Sequence, residues 1–381
     1  MAETQAREFS PGLEGVLAAR TQISDVQGQQ GRLIYRGYDI ADLAEGLEYE
    51  EVAFLLWHGE LPNEDELNSL RKQMAEVRSL KPHAEQALRA MPDDANPMDV
   101  LRTVVSAQGV ESRLEKPNLD QAIRYTACFP TILARFHRQR TGQKPVEPRH
   151  DLDNAADYLY MLTGEEPDPL KVRALNSYLV LLADHGMNAS TFTARVIAST
   201  DSDLASCLVG AIGALKGPAH GGAPSLVLDQ LEKIGKPENA ERWLREALDR
   251  KERFMGFGHR VYRTYDPRAK ILKKMAEEHN PTFFALASKV EEVALALLQE
   301  RHPERPQATN VEFYSAGVLQ SVGLPKDLFP CTFAMSRAAG WSAHVLEQTA
   351  HNRLIRPASE YVGPEPKQPV PLTERGKAPA R

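Results

Sequence analysis

Three short segments carry side chains able to move protons or to hold a charged oxygen. His220 lies in Lys216-Gly217-Pro218-Ala219-His220-Gly221-Gly222-Ala223. The glycines around it free the backbone to turn sharply and let a substrate approach the amide groups. His259 lies in a second glycine-flanked loop, Met255-Gly256-Phe257-Gly258-His259-Arg260-Val261-Tyr262-Arg263, with Asp266-Pro267-Arg268 just beyond. The third segment is Thr309-Asn310-Val311-Glu312-Phe313-Tyr314-Ser315, an acid among apolar and aromatic neighbours. Such an acid is either a paired structural charge or a base whose pKa desolvation lifts toward working pH, and spacing alone leaves both open.

His185 ends a helical pattern at Asp184-His185-Gly186-Met187-Asn188-Ala189-Ser190, where a helix carboxyl end favours a protonated imidazole. Arg268, Arg337 and Arg356 stand in otherwise uncharged surroundings and call for an anionic partner; a di- or tricarboxylate would serve bidentately. The other histidines read as surface or hydrogen-bonded structural residues, His344 and His351 among them. No metal site is expected, because no histidine has a ligand partner at helical or hairpin spacing and no HExxH pair occurs. A Walker-type phosphate loop and a GxSxG elbow are missing, and Gly256-Phe257-Gly258 lacks the third glycine of a dinucleotide loop.

These residues must be positioned largely by helices. Glu50 to Trp57 has the face of a buried helix stopped by Leu61-Pro62, and Asn63 caps a charged helix from Glu64 to about Leu80. Asp168-Pro169 opens another, running to Asp184, and Asp203 caps Leu204 to Leu215. Asn239 to Arg253 reads as an exposed amphipathic helix. Pro281 to Glu300 reads as a longer one with Phe284, Leu286, Val290, Val293 and Leu297 inward. Leu328 to Leu346 is a further buried helix. Thr21 to Ser24 and Arg32 to Tyr35 predict one small hairpin, and from Gly363 the chain reads as an extended or disordered tail. The class is mainly α.

The 381 residues suit two packed domains, with 42% hydrophobic and 26% charged residues, as in soluble globular proteins. The net charge of −6 is spread along the chain without a basic stripe, which argues against a nucleic-acid partner. Three scattered cysteines and no apolar leader or bilayer-length segment point to the cytoplasm and away from a membrane.

Taken together the segments resemble citrate synthase, from Gly12-Leu13-Glu14-Gly15-Val16 to about Pro366. The likeness rests on Gly31 to Ile40, on Glu51 to Pro62, and most strongly on four segments in order. These are Asp184 to Ser190, Gly217 to Gly222, Gly258 to Tyr262 with Asp266-Pro267-Arg268, and Asn310 to Ser315. The resemblance is to the short bacterial and archaeal forms. It implies an almost all-α homodimer with a shared active site: a large domain over 1–220 and 324–366, a small domain over 221–323, and a flexible tail over 367–381.

It further implies that Glu312 takes a proton from the methyl of acetyl-CoA while His220 stabilises the enol. His259 would polarise the ketone of oxaloacetate; His185, Arg268, Arg337 and Arg356 would hold its carboxylates, Arg356 from the neighbouring subunit. Arg263, Gly256 and Gly258 would border CoA. No cofactor is implied, since acetyl-CoA is a substrate. One position departs from the best-known members: Glu312 stands where they have Asp. One added methylene moves the carboxylate by about an ångström, a displacement that can cost on the order of a hundredfold in rate. 2-Methylcitrate synthase, using propionyl-CoA, is the alternative within the family, because one methylene of pocket volume discriminates weakly. A non-catalytic homologue is the alternative outside it, with Glu312 its only support. A helical-repeat scaffold fails for want of any period.

Overall fold

The computed structural model describes residues 9–111, 115–221, 223–258, 261–262, 264–304 and 307–375. His259 and Arg263 therefore lie outside the described residues. The chain is mostly helical, with one small antiparallel sheet of order β1-β2-β3: Ser24–Gln27, Arg32–Tyr35 and Tyr38–Asp39. The first strand begins three residues later than the sequence predicts, because the Thr21 hydroxyl caps the Ile23 amide (3.1 Å) and ends the approach segment there. Pairing of Ser24 with Tyr35 and Gln27 with Arg32 then fixes the register. A third strand, unforeseen in the sequence, follows a two-residue turn at Arg36-Gly37. Both residues have positive φ (49° and 96°), as a tight hairpin matched to strand twist requires.

The helices are α1 (Ile40–Gly46), α2 (Tyr49–His58), α3 (Glu64–Val77), α4 (Pro82–Arg89) and α5 (Pro97–Gln108). Next come α6 (Leu119–Arg140), α7 (Asn154–Thr163), α8 (Pro169–Leu182), α9 (Ala189–Ala198) and α10 (Leu204–Lys216). α11 (Ala223–Ile234), α12 (Ala240–Asp249), α13 (Pro267–His279), α14 (Pro281–Arg301), α15 (Val311–Ser321) and α16 (Phe329–Ala350) complete them. The expected caps form: Asn63 accepts from the Glu66 amide, Asp168 from Leu170 and Asp203 from Ser206. α12 is shorter than Asn239–Arg253, since the Pro237–Asn239 turn precedes it and Lys251 takes positive φ after it. The buried face of α14 is Phe283, Ala287, Val290, Val293, Ala294 and Leu297, so Phe284 and Leu286 are only half-buried. Phe283 wins because it fills the space over Gly317 of α15, where any Cβ would meet its ring at 2.3 Å.

α16 runs through the middle of the molecule. It is buried on nearly all sides and packs against α2, α6, α8, α9 and α10. A helix apolar all round needs such a central place. Arg337 and His344 are its buried basic side chains, set among smaller buried polar groups such as Ser336 and Ser342. On α2, Glu50 is buried against the amino end of α7. It accepts from the Asn154 amide (2.6 Å) with its second oxygen unpartnered among the described residues. Burial raises its pKa, and the neighbouring Asp153 raises it further. Cys128, Cys207 and Cys331 are free and buried. After α16 the chain runs without regular structure to Arg375 except for a short turn at Leu372–Glu374. No helix among the described residues is long and apolar enough to cross a membrane.

Candidate active site

The turn carrying His220 follows α10. The His220 amide donates to the Gly217 carbonyl (2.9 Å) and the Gly221 amide to that of Leu215 (2.9 Å). A Cβ on Gly221 would lie 2.6 Å from that same carbonyl oxygen, so the turn demands glycine there. The imidazole reaches the amino end of α9. The Ser190 amide donates to His220 Nε2 at 3.3 Å, and the Ser190 hydroxyl lies 2.8 Å from the same nitrogen. A backbone N–H can only donate, so Nε2 is the acceptor and Nδ1 carries the ring proton. Burial, with the nearby Arg337 charge, lowers the His220 pKa to about 4. The ring is a neutral hydrogen-bond donor through Nδ1 at physiological pH.

Glu312 stands in the first turn of α15, where the helix field favours an anion. Burial nevertheless raises its pKa above the ordinary value, against the opposing pull of Arg268 and Arg337 and with the help of Asp266. The two arginines differ. Arg268 is buried and bound through Nε and Nη2 to Asp266 (3.1 and 2.8 Å), so the chain itself supplies part of its anionic partner. Arg337 donates through Nε to the Leu182 carbonyl (2.6 Å) and lies over the Phe333 ring at 4.8 Å. Its terminal nitrogens have no hydrogen-bond partner among the described residues, and burial lowers its pKa. A guanidinium so placed is a ready receptor for a carboxylate.

His185 is buried, with Nε2 3.2 Å from the Tyr262 hydroxyl. Asp184 anchors it. One carboxylate oxygen accepts from the Gly186 amide (2.9 Å) and from the Ser24 hydroxyl, and the group faces His344 Nε2 at 3.3 Å. Arg195 donates to Nδ1 of His344 (3.1 Å), which leaves the Nε2 proton for Asp184. Burial raises the Asp184 pKa, but His344, Arg337 and Ser24 outweigh it and the net shift is downward.

The fold thus brings His185, His220, Arg268, Glu312 and Arg337 into one electrostatic neighbourhood. Arg356 is not part of it; it is exposed in the stretch after α16. Gly256 and Gly258 have φ of 86° and 82° and pair with the lead-in to α15: the Gly258 amide donates to Ala308 and the Asn310 amide to Gly256. A Cβ on Gly256 would collide with Phe313 at 2.6 Å.

A family model described as the citrate synthase C-terminal domain matches residues 12–358. The chain belongs to the citrate synthase family. It is 45% identical over 370 residues to citrate synthase 2 of Bacillus subtilis, covering 96% of this chain and 98% of that protein. With citrate synthase of Haloferax volcanii it shares 44% over 378 residues, 97% of this chain and 99% of the relative. A 2-methylcitrate synthase of Mycobacterium tuberculosis is 41% identical over 365 residues, 94% and 91% of the two chains. Among solved structures, a ternary complex of carboxymethyl coenzyme A and oxaloacetate with citrate synthase from Thermoplasma acidophilum aligns with TM-score 0.91. Identity there is 32%, covering 97% of this chain and 100% of that one.

Around this cluster, sequence reading missed Ser190, Asp184, Asp266, Tyr262 and Tyr178. Tyr178 is a buried phenol on α8 without a hydrogen-bond partner among the described residues, in the field of Glu312, Arg337 and Arg268. Asp266 had a local signal, two residues before Arg268 at the cap of α13. Ser190, Asp184 and Tyr262 meet His220, Ser24 and His185 only through long-range packing.

Proposed function

We propose that this chain condenses acetyl-CoA with oxaloacetate and hydrolyses the resulting citryl-CoA to citrate and CoA. It is an enzyme of the acyltransferase class that converts the acyl group into alkyl on transfer. The observation that carries this is the juxtaposition of Glu312, its carboxyl raised by burial, with two buried guanidinium groups. A raised carboxyl is a stronger proton acceptor once ionised, and paired guanidiniums suit a dicarboxylate.

Glu312 takes a methyl proton of acetyl-CoA; the C–H pair forms the carbon–carbon double bond and the carbonyl π pair moves to the thioester oxygen. His220 donates from Nδ1 to that oxygen and stabilises the enol. The enol carbon then attacks the ketone carbon of oxaloacetate, and His259 protonates the alkoxide. Water cleaves the thioester last. His185, Arg268 and Arg337 hold the oxaloacetate carboxylates, and Arg263, Gly256 and Gly258 border CoA.

The site is completed by a second copy of the chain, which supplies Arg356. Two observations support this. Arg356 has no hydrogen bond or ion pair among the described residues. The stretch around it also exposes Leu354 (56%), Tyr361 (77%) and Val362 (88%), apolar surface suited to a partner. Residues 221–323 form the small domain and close over substrates to exclude water; 1–220 and 324–366 form the large domain. The enzyme works in the cytoplasm, in keeping with its three free thiols.

The 41% identity to a 2-methylcitrate synthase supports a second reading, propionyl-CoA as acyl donor. Thiol release from acetyl-CoA tests the primary one. It is expected only when oxaloacetate is present, and release indifferent to oxaloacetate would sink it.

A further inference from the structure

Arg268 and Glu312 enter the site on two separate turns, each just before or within the first turn of a helix, α13 and α15. Among the described residues one long backbone hydrogen bond joins the turns, the Asp266 amide to the Thr309 carbonyl at 3.4 Å. The stronger link is a side chain from a third helix. Glu291, in the middle of α14, is buried to 4% exposure and accepts from four donors. Tyr265 Oη (2.8 Å) and Thr309 Oγ1 (2.6 Å) meet Oε1, while Tyr314 Oη (2.7 Å) and Lys273 Nζ (2.5 Å) meet Oε2. Tyr265 adjoins Asp266, which orients Arg268. Thr309 and Tyr314 bracket Glu312 on either side.

We propose that Glu291 is a positioning residue for the reaction: it holds the Arg268 turn and the Glu312 turn at a fixed separation without touching substrate. This rests on the roles given to Arg268 and Glu312 in the preceding subsection. Four donors saturate the acceptor capacity of one carboxylate, and only the ionised acid can take two donors at each oxygen without a proton of its own in the way. Burial alone would raise the Glu291 pKa, but the bonds from Lys273, Thr309, Tyr314 and Tyr265 turn the net shift downward, so the group stays charged. A buried acid satisfied this fully is rigid, and both turns inherit that rigidity.

Glu291→Gln tests it, because the amide keeps one acceptor and offers Tyr314 and Lys273 an NH2 group that cannot accept. The expected result is a kcat lower by about tenfold or more and an oxaloacetate KM raised severalfold, as misplacement of both turns requires. Two further variants split the effect. Tyr314→Phe should lower kcat with little change in oxaloacetate KM, and Tyr265→Phe should do the reverse. Val290→Ala, a fully buried neighbour on the same helix, is the stability control. It should lower the thermal midpoint and leave both constants within about twofold.

Amide hydrogen exchange needs no turnover: Glu291→Gln should accelerate exchange over residues 309–314, and Val290→Ala should not. Unchanged exchange and constants in Glu291→Gln, or equal changes in Val290→Ala, would overturn the proposal. An inactive wild-type chain would instead refute the functional assignment, with the exchange comparison still deciding the role of Glu291 as a clamp.

Discussion

Ser190 and His220, thirty residues apart, meet at one ring nitrogen: amide and hydroxyl both converge on Nε2, at 3.3 and 2.8 Å. The contact sets the tautomer and therefore which nitrogen donates into the site. Ser190→Ala removes the hydroxyl and keeps the amide. Its kcat should fall by about tenfold, the rate equivalent of one hydrogen bond of roughly 1.4 kcal/mol. The oxaloacetate KM should not move, since among the described residues Ser190 hydrogen-bonds with Asn188, His220 and Trp341 and with no arginine. Steady-state kinetics decide it, and an unchanged kcat would mean that the amide alone holds the ring and the hydroxyl contributes nothing to it.

Glu312 gives the pH dependence its sign. The base must be ionised to act, and burial has lifted its pKa above the ordinary 4.5. The acid limb of kcat/KM should therefore lie above that value, with activity full on the alkaline side and lost as pH falls. His220, at about 4, stays neutral throughout and adds no limb near neutrality. Glu312→Gln should cost about 10²–10⁴-fold in kcat. A pH profile of the wild type and the rate of the variant check both points.

Glu50 makes a separate prediction about stability. Its folded-state pKa is raised by burial and by Asp153, so the folded chain holds this proton more tightly than the unfolded one. Its contribution is fully present below the unfolded pKa and is lost as pH rises through the folded value. Glu50→Gln should raise the thermal midpoint at pH 8 and change it little at pH 4. Melting curves at the two pH values test this, and a midpoint lowered at pH 8 would mean that the carboxylate is stabilising.

The caps at Asn63, Asp168 and Asp203 were legible because capping is local: the acceptor and the amide lie within three residues. The glycine-held turn of His220 and the buried place of Arg337 were legible as residue types in unusual surroundings. The inward face of α14 was not, because Phe283 and Phe284 are equally apolar and only the notch at Gly317 chooses between them. The first strand slipped for a similar reason, as the Thr21 hydroxyl competes locally with the ladder. Ser190, Asp184 and Glu291 read as ordinary polar residues in sequence. The partners that place them in the site lie 18 to 160 residues away, and nothing local announces those.

Arg356 tests the shared site. Chains carrying Arg356→Ala and Glu312→Gln should each be nearly inactive. Mixed and reassembled in equal amounts, half the dimers are hybrids with one intact site in two, so about a quarter of wild-type activity should return. An arginine acting within its own subunit would give no recovery, because each hybrid site would then lack one of the two groups.

The central claim is carbon–carbon bond formation between the acetyl-CoA methyl and oxaloacetate. Its most direct measurement is CoA thiol release from acetyl-CoA and propionyl-CoA side by side, with and without oxaloacetate. Release strictly dependent on oxaloacetate, with higher kcat/KM for acetyl-CoA, is the expected result. Release without oxaloacetate, or a strong preference for propionyl-CoA, would contradict it.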